Sequence, residues 1–350
     1  MAVMAVTARQ QPDVRPISDC RTRHLPALSG LCTQGLPLCE QAGVMTLGHV
    51  AFDGTKLRAR ASKHTAMSYG RMKTAEPELA AEVARGLAEA TASDAREDAA
   101  SGADQRGDEL PEWVTHQPHR WEKIRTANTA WEAEAVMRVR TEPAPSDPPR
   151  RGRPAKTPPG PPPDRAPRNF TAPDSRILKA RDGFIQGSHA QAAGEAAHQV
   201  IGAQGLTNQA SAASPLTPML APINANTGRQ ARERSAAAGY CSEQNLTALH
   251  RRHMRGEVAT GRQLHGTASA TGARKTVPGT RVHAMKVRLT RAEHRSRYRL
   301  RKPGGEPVFG QITQARGFRQ CLLRGLSQVS GEWRLVCSAH NVLKLAGARG

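Results

Sequence analysis

The sequence predicts an α/β protein, a mixed sheet flanked by helices, and three observations carry that prediction. An early strand-like segment spans 47–62, two further segments at 183–193 and 198–207 are spaced as an antiparallel pair, and short strands then alternate with helices up to a basic helical end. Separated strands and a late helix in that order can bring their carboxylates together at one end of a sheet.

The elements follow in order. Residues 22–47 (RTRHLPALSGLCTQGLPLCEQAGVMT) space Leu and Val at helical intervals broken by Gly and Pro, which suggests a short helix pair. In LGHVAFDGTKLRARAS, Val50, Phe52 and Leu57 are strand formers with an acid, Asp53, among them. From 75 to about 140 the chain is helical: Leu79, Val83 and Leu87 recur at i, i+4 and i+8, and Trp121, Ile124 and Trp131 form a second stripe after a break at SGADQRGDELP. This reads as a helical hairpin inserted after the first strand, its acids a solvated face. Residues 141–167 are Pro-rich and basic, an extended linker.

GFIQGSHAQAA and HQVIGAQGLT form the antiparallel pair, and SPLTPMLAPINANTG is a helix ended by Gly228. ARERSAAAGY is another strand, SEQNLTALHRRH a helix starting at Ser242, and GEVATG a small strand. The end, from about 284, is helical, and between Arg281 and Lys302 nine Lys or Arg face a single acid, Glu293.

The formal charge of +21 is unevenly spread. Residues 76–112 hold 11 acids and three arginines, a local −8, so the rest carries 21 + 8 = +29. A polyanion partner fits that remainder, because Lys and Arg that neutralise phosphates release condensed counterions. An Arg-, Ala-, Gly- and Pro-rich coding bias is the competing reading, and composition leaves both open. Only 12 aromatics stand beside 25 Pro and 31 Gly, so the expected core is modest. Cys20, Cys32, Cys39, Cys241, Cys321 and Cys337 form no CxxC pair and read as scattered reduced thiols rather than zinc ligands. The opening MAVMAVTARQ lacks a basic n-region, and no stretch nears the ~18 apolar residues of a membrane span. A cytoplasmic protein without a membrane or small-molecule partner is expected.

Several strings, taken together, resemble the DDE transposases of bacterial insertion sequences. They include KPGGEPVFGQITQARGFRQCLLRGLSQVSGEWRLVCSAHNVLKLA, HVAFDGTKLRARASKHTAMSYGRM, RNFTAPDSRILKARDGFIQG, HAQAAGEAAHQVIGAQGLTNQAS, AGYCSEQNLTALHRRH and VATGRQLHGTASATG. RQQPDVRPISDCRTRHL resembles the end of that family's N-terminal domain, so the likeness runs in family order over 9–349. It implies a ribonuclease-H-like mixed sheet flanked by helices, with three carboxylates holding two Mg²⁺ ions for DNA cleavage and strand transfer. Such ions lie ~3.5–4 Å apart and stabilise the attacking and leaving oxygens. The division implied is 1–46, a remnant of the N-terminal domain; 47–74, the first strand region; 75–140, the helical insertion; 141–167, the linker; and 168–350, the rest of the catalytic core. On this reading the chain is an N-terminally truncated copy.

The resemblance places the first acid at Asp53, followed by Gly54, and the third at Glu306 ahead of PVFGQ, with Tyr298 and Arg301 at the family's spacing. The second acid falls on Ala237. A methyl group holds no ion, and Glu233, four residues earlier at ~3.3 Å per residue, is a poor substitute. Further departures are Ala172 and Glu195 at family aspartates, Ser188 and His189 for Tyr-Asn, Thr313 for a lysine, and Pro303, Gly304 and Gly305 where the family has helix formers. Pro inside a helix costs ~3 kcal/mol and Gly up to ~1 kcal/mol, so the helix presenting Glu306 should start late or bend.

The expected function is therefore a Mg²⁺-dependent transposase whose present copy is impaired by Ala237, leaving open whether it is an active enzyme. The alternatives are a basic DNA-binding remnant without catalysis and a poorly folded pseudogene product. The expected partner is DNA, the terminal inverted repeats of an insertion sequence, with homodimerisation open. Arg295, Arg297, Arg299, Arg301, Lys302, Arg316 and Arg319 are the candidate phosphate contacts, of which only a subset can face one way.

Overall fold

β1 (His49–Arg58) is the strand around which the sheet is organised. The computed structural model describes residues 15–16, 19, 23–101, 112–141, 160–180, 183–209, 216–261, 270–272 and 275–348. These fall into two compact units, Met1–Arg60 with Leu178–Gly350, and Ala61–Ile177.

In the first unit, helices α1 (Leu25–Gln34) and α2 (Leu36–Gln41) precede β1. The first four residues of β1 are buried, as expected for a strand covered on both faces, and the burial then alternates. The described sheet has order β4-β5-β1-β7-β8, with β6 also paired to β5. β4 is Arg176–Ala180, β5 Gly183–Glu195, β6 Ile201–Thr207, β7 Glu233–Ala236 and β8 Glu257–Val258. β1 runs antiparallel to β5 and parallel to β7, and β7 runs parallel to β8, which makes the sheet mixed.

Side-chain alternation divides the core between two clusters. Val50, Phe52, Ala193, Ala203 and Ala236 join one that includes Leu36, Leu220, Leu246 and Tyr298. Leu57, Ala190, Ala192 and Ile201 join the other with Val308, Phe309, Ile312 and Trp333. The second half of β5 is Ala- and Gly-rich, so bulk is supplied by the helices that cover it.

Of those helices, α5 (Thr217–Thr227) ends on Gly228 in the left-handed region at φ 66°, as its sequence position predicts. α6 (Glu243–Arg251) is capped by the Ser242 hydroxyl, which accepts from the Asn245 N–H. α7 (Arg281–Arg288) is capped by Thr280, and the Glu243 carboxylate accepts from the N–H groups of Arg281 and Val282 at 3.0 and 2.8 Å. α8 (Ala292–Arg299), α9 (Arg301–Gly304) and α10 (Glu306–Gly310) follow, with a short π-helical turn at Gln311–Ala315. The long α11 (Leu326–Gly347) docks on β6 through Asn341, which accepts from the Ile201 N–H and donates to its carbonyl, and on β5 through Trp333 Nε1–H donating to the Gln191 carbonyl.

In the second unit, β2 (Ala66–Ser68) pairs antiparallel with β3 (Pro167–Asn169). α3 (Tyr69–Ser101) and α4 (Glu112–Thr141) meet around Tyr69, Met72, Ile124 and Trp131. The edge of the Tyr69 ring faces Trp131, and buried Arg168 forks onto Glu134 at 2.6 and 3.1 Å.

Several local expectations are corrected here. The first long helix begins at Tyr69, not near 75, because Tyr69 and Met72 extend its apolar face backward. Leu87 is 53% exposed, so the Leu79-Val83-Leu87 stripe does not continue as a packed face. The strand read through ARERSAAAGY stops at Ala236, and Ala238–Tyr240 form a 3-10 turn. The end of the Pro-rich linker is structured: the Tyr69 and Gly70 N–H groups donate to the carbonyls of Ala166 and Asp164. Residues 142–159 of that linker, the 102–111 break, most of 1–22 and 262–269 lie outside the described residues.

Candidate active site

Asp53 sits on β1 opposite Ala192 of β5, just past the point where β1 and β7 pair at Phe52 and Ala236. The next step of that parallel ladder is the Ala237 N–H donating to the Phe52 carbonyl at 3.4 Å. Ala237 therefore leaves β7 directly beside Asp53, where β1 parts from β7 while remaining paired with β5. Tyr240, in the turn that follows, donates its hydroxyl to the Asp53 carbonyl at 3.2 Å.

Glu306 arrives from the other direction. The chain from 292 to 315 is divided into α8, α9, α10 and the π-helical turn, as the Pro and Gly at 303–305 lead one to expect. Gly304 and Gly305 do more than interrupt it. A β-carbon on Gly304 would lie 3.1 Å from Ala51 Cβ and 3.2 Å from the Gly194 carbonyl oxygen, and one on Gly305 would lie 3.1 Å from Asp53 Cβ. The helical segment thus rests on the sheet beside the first acid because these two residues lack side chains.

One guanidinium joins the two carboxylates. Arg301 Nη1 donates to Asp53 Oδ2 at 3.0 Å, and Nη2 to Glu306 Oε1 at 2.7 Å. The Arg301 side chain is 12% exposed, and its guanidinium lies 5.8 Å from the Tyr298 ring centroid. Burial raises the Asp53 pKa, while Arg301 and the Gly54 N–H, which donates to Asp53 Oδ1, pull it back only in part. For Arg301, burial opposes the charge, but Tyr298, Asp53 and Glu306 outweigh it and hold the group protonated.

The two acids named from the sequence, the first and the third, are therefore brought together, and the second position, Ala237, lies beside the first and carries a methyl group. This donor set does not fit a pair of divalent ions. Among the described residues only Asp53 and Glu306 bring side-chain carboxylates to it, and both are engaged by a cation from the chain itself. Among the described residues, no cluster of three or more His, Cys, Asp or Glu could hold a metal ion. Glu233 is engaged elsewhere, with Arg297 at 3.4 Å and His49 at 3.7 Å.

The basic residues separate into two groups. Arg295, Arg299 and Lys302 are exposed. Arg297 pairs with Glu293 and Glu233, and Arg301 with the two acids. Arg316 donates to His340 Nδ1 at 2.8 Å, and Arg319 donates to the Thr313 carbonyl and to Gln314. Glu195, one of the departures, is buried at the end of β5, where it accepts from the Thr46 hydroxyl and the N–H groups of Ala197 and His198 in the turn that follows.

Sequence reasoning placed Arg301 among phosphate contacts and missed its bridging role. Its spacing from Tyr298 and Glu306 on one helical run was the signal. Asn245 was missed too: it accepts from the Leu216 N–H and donates to the Tyr240 carbonyl, tying α5 and α6 to the turn that follows Ala237.

Residues 244–346 match the family described as the transposase DDE domain. The match supports a DDE transposase, and it contains Tyr298, Arg301, Glu306 and Thr313 but not Asp53 or Ala237. Neither a curated protein nor a solved structure matches the chain. Among the described residues no helix is long and apolar enough to cross a membrane.

Proposed function

We propose that the chain is a DDE transposase of an insertion sequence, built on a ribonuclease-H-like core, in which DNA binding persists and strand cleavage is impaired. The carrying observation is the juxtaposition of Asp53, Ala237 and Glu306: strands β1 and β7 and the segment holding α10 converge as a three-acid site requires, and one of the three positions has no ligand atom. The strand order, with β5 and β6 antiparallel on one side of β1 and β7 and β8 parallel on the other, supports the ribonuclease-H-like reading. The paired α3 and α4 between β1 and β4 support an insertion after the first strand.

In this reading Asp53 and Glu306 are the surviving ligands of an ancestral Mg²⁺ site. In that ancestral site the ions would polarise the phosphate and activate the attacking oxygen. Here Asp53 and Glu306 hold Arg301 instead. DNA is the partner, through phosphate contacts from Arg295, Arg299 and Lys302, whose side chains are exposed. If these three supply the contacts, affinity should fall roughly 40-fold between 50 and 200 mM salt, from a slope of about −0.9 per phosphate.

The test uses a DNA fragment carrying the gene's flanking sequence. A mobility shift that weakens with salt is expected, with no strand nicking in Mg²⁺. Absence of a shift at low salt overturns the DNA-binding half, and efficient nicking by the unaltered chain overturns the impairment.

A further inference from the structure

We propose that Arg301 is a built-in counter-cation that closes the Asp53–Glu306 pair to divalent metal ions. The proposal rests on the reading of these carboxylates as former metal ligands, and extends it by naming what now occupies their charge. Three observations converge. First, one guanidinium uses separate nitrogens for the two acids, Nη1 to Asp53 at 3.0 Å and Nη2 to Glu306 at 2.7 Å, so neither contact can be given up without losing the bridge. Planar guanidinium geometry suits this double engagement in a way that an ammonium does not.

Second, Arg301 is not free to swing away. Its side chain is 12% exposed and lies against the Tyr298 ring, and α9 is seated on the sheet by the contact of Gly304 with Gly194 and Ala51. An ion entering between the carboxylates must displace a packed side chain, not a surface one.

Third, the charge balance favours the arginine in this chain. Two carboxylates and one guanidinium leave a net charge of −1. A third acid at residue 237 would make it −2 and strengthen the pull on a dication, and Ala237 removes that pull. Taking the guanidinium away would leave Asp53, whose side chain is 16% exposed, a mostly buried carboxylate without that partner.

Thermal melting tests this with Mn²⁺ as the probe. The unaltered chain should melt at the same temperature with and without millimolar Mn²⁺. Arg301→Gln should melt several degrees lower, and Mn²⁺ should restore part of the loss. Asp53→Asn combined with Arg301→Gln, which removes the buried charge together with its partner, should melt above Arg301→Gln and ignore Mn²⁺. If Arg301→Gln does not fold, Arg301→Lys replaces it, since a single ammonium nitrogen lacks the planar fork that gives each acid its own nitrogen.

A Mn²⁺-dependent rise in the unaltered chain that disappears in Asp53→Asn overturns the proposal. So does a single variant indifferent to Mn²⁺, or a double variant no more stable than the single one. The transposase reading fails separately, through loss of DNA binding in the mobility shift, whatever the melting curves show.

Discussion

Gly194 on β5 and Gly304 on α9 approach so closely that a β-carbon on Gly194 would lie 2.3 Å from the Gly304 carbonyl oxygen. No rotamer relieves that overlap, because the obstructing atom is backbone. Gly194→Ala should therefore push α9 off the sheet at a cost of about 1–3 kcal/mol. A urea melt checks it: a lower midpoint with unchanged slope is expected. An unchanged midpoint would show that the segment bearing Arg301 and Glu306 is not seated as described.

His340 gives a pH dependence. It is fully buried, accepts at Nδ1 from Arg316 and donates from Nε2 to the Gln199 carbonyl, so the folded protein holds the neutral ring. Burial, with Arg316 and Lys344 nearby, lowers its pKa from 6.5 to about 4. A depressed histidine pKa means the unfolded chain takes the proton first. The contribution is fully present above about pH 6.5 and is lost as the pH falls toward 4. Stability should drop by an amount on the order of 1–3 kcal/mol across that window, and less in His340→Gln. Equal acid sensitivity in both proteins would rule the assignment out.

Asn245 makes a prediction about geometry. Its carboxamide accepts from the Leu216 N–H at 3.0 Å and donates to the Tyr240 carbonyl at 2.8 Å. Asn245→Asp keeps the acceptor but sets an oxygen against the Tyr240 carbonyl, so it should destabilise at least as much as Asn245→Ala, by about 1–3 kcal/mol. Chemical denaturation of the two variants decides, and an Asp variant as stable as the parent would contradict it.

Much of the fold was legible because local chemistry announced it. Gly228 stops α5, Ser242 starts α6, and the two strand-like segments at 183–193 and 198–207 form the expected antiparallel pair. What stayed hidden depends on contacts distant in sequence. Read locally, Gly304 and Gly305 are helix breakers; against β1 and β5 they are the residues that permit contact near Asp53. Arg301 reads as one more basic residue in a basic run, and only the meeting of a strand and a late helical segment, 248 positions apart in sequence, turns it into a bridge. Ala237 is the converse case, since the resemblance singled it out from the sequence and the ladder of β1 and β7 sets it beside Asp53.

The most direct measurement is nicking of a supercoiled plasmid that carries the gene's flanking DNA, in Mn²⁺, by three proteins: the unaltered chain, Ala237→Asp, and Ala237→Asp with Asp53→Asn. A ligand restored at 237 gives Mn²⁺ a third carboxylate with which to compete against Arg301. Nicking is expected from Ala237→Asp alone. Asp53-dependent nicking by the unaltered chain, at the rate of Ala237→Asp, would contradict the account.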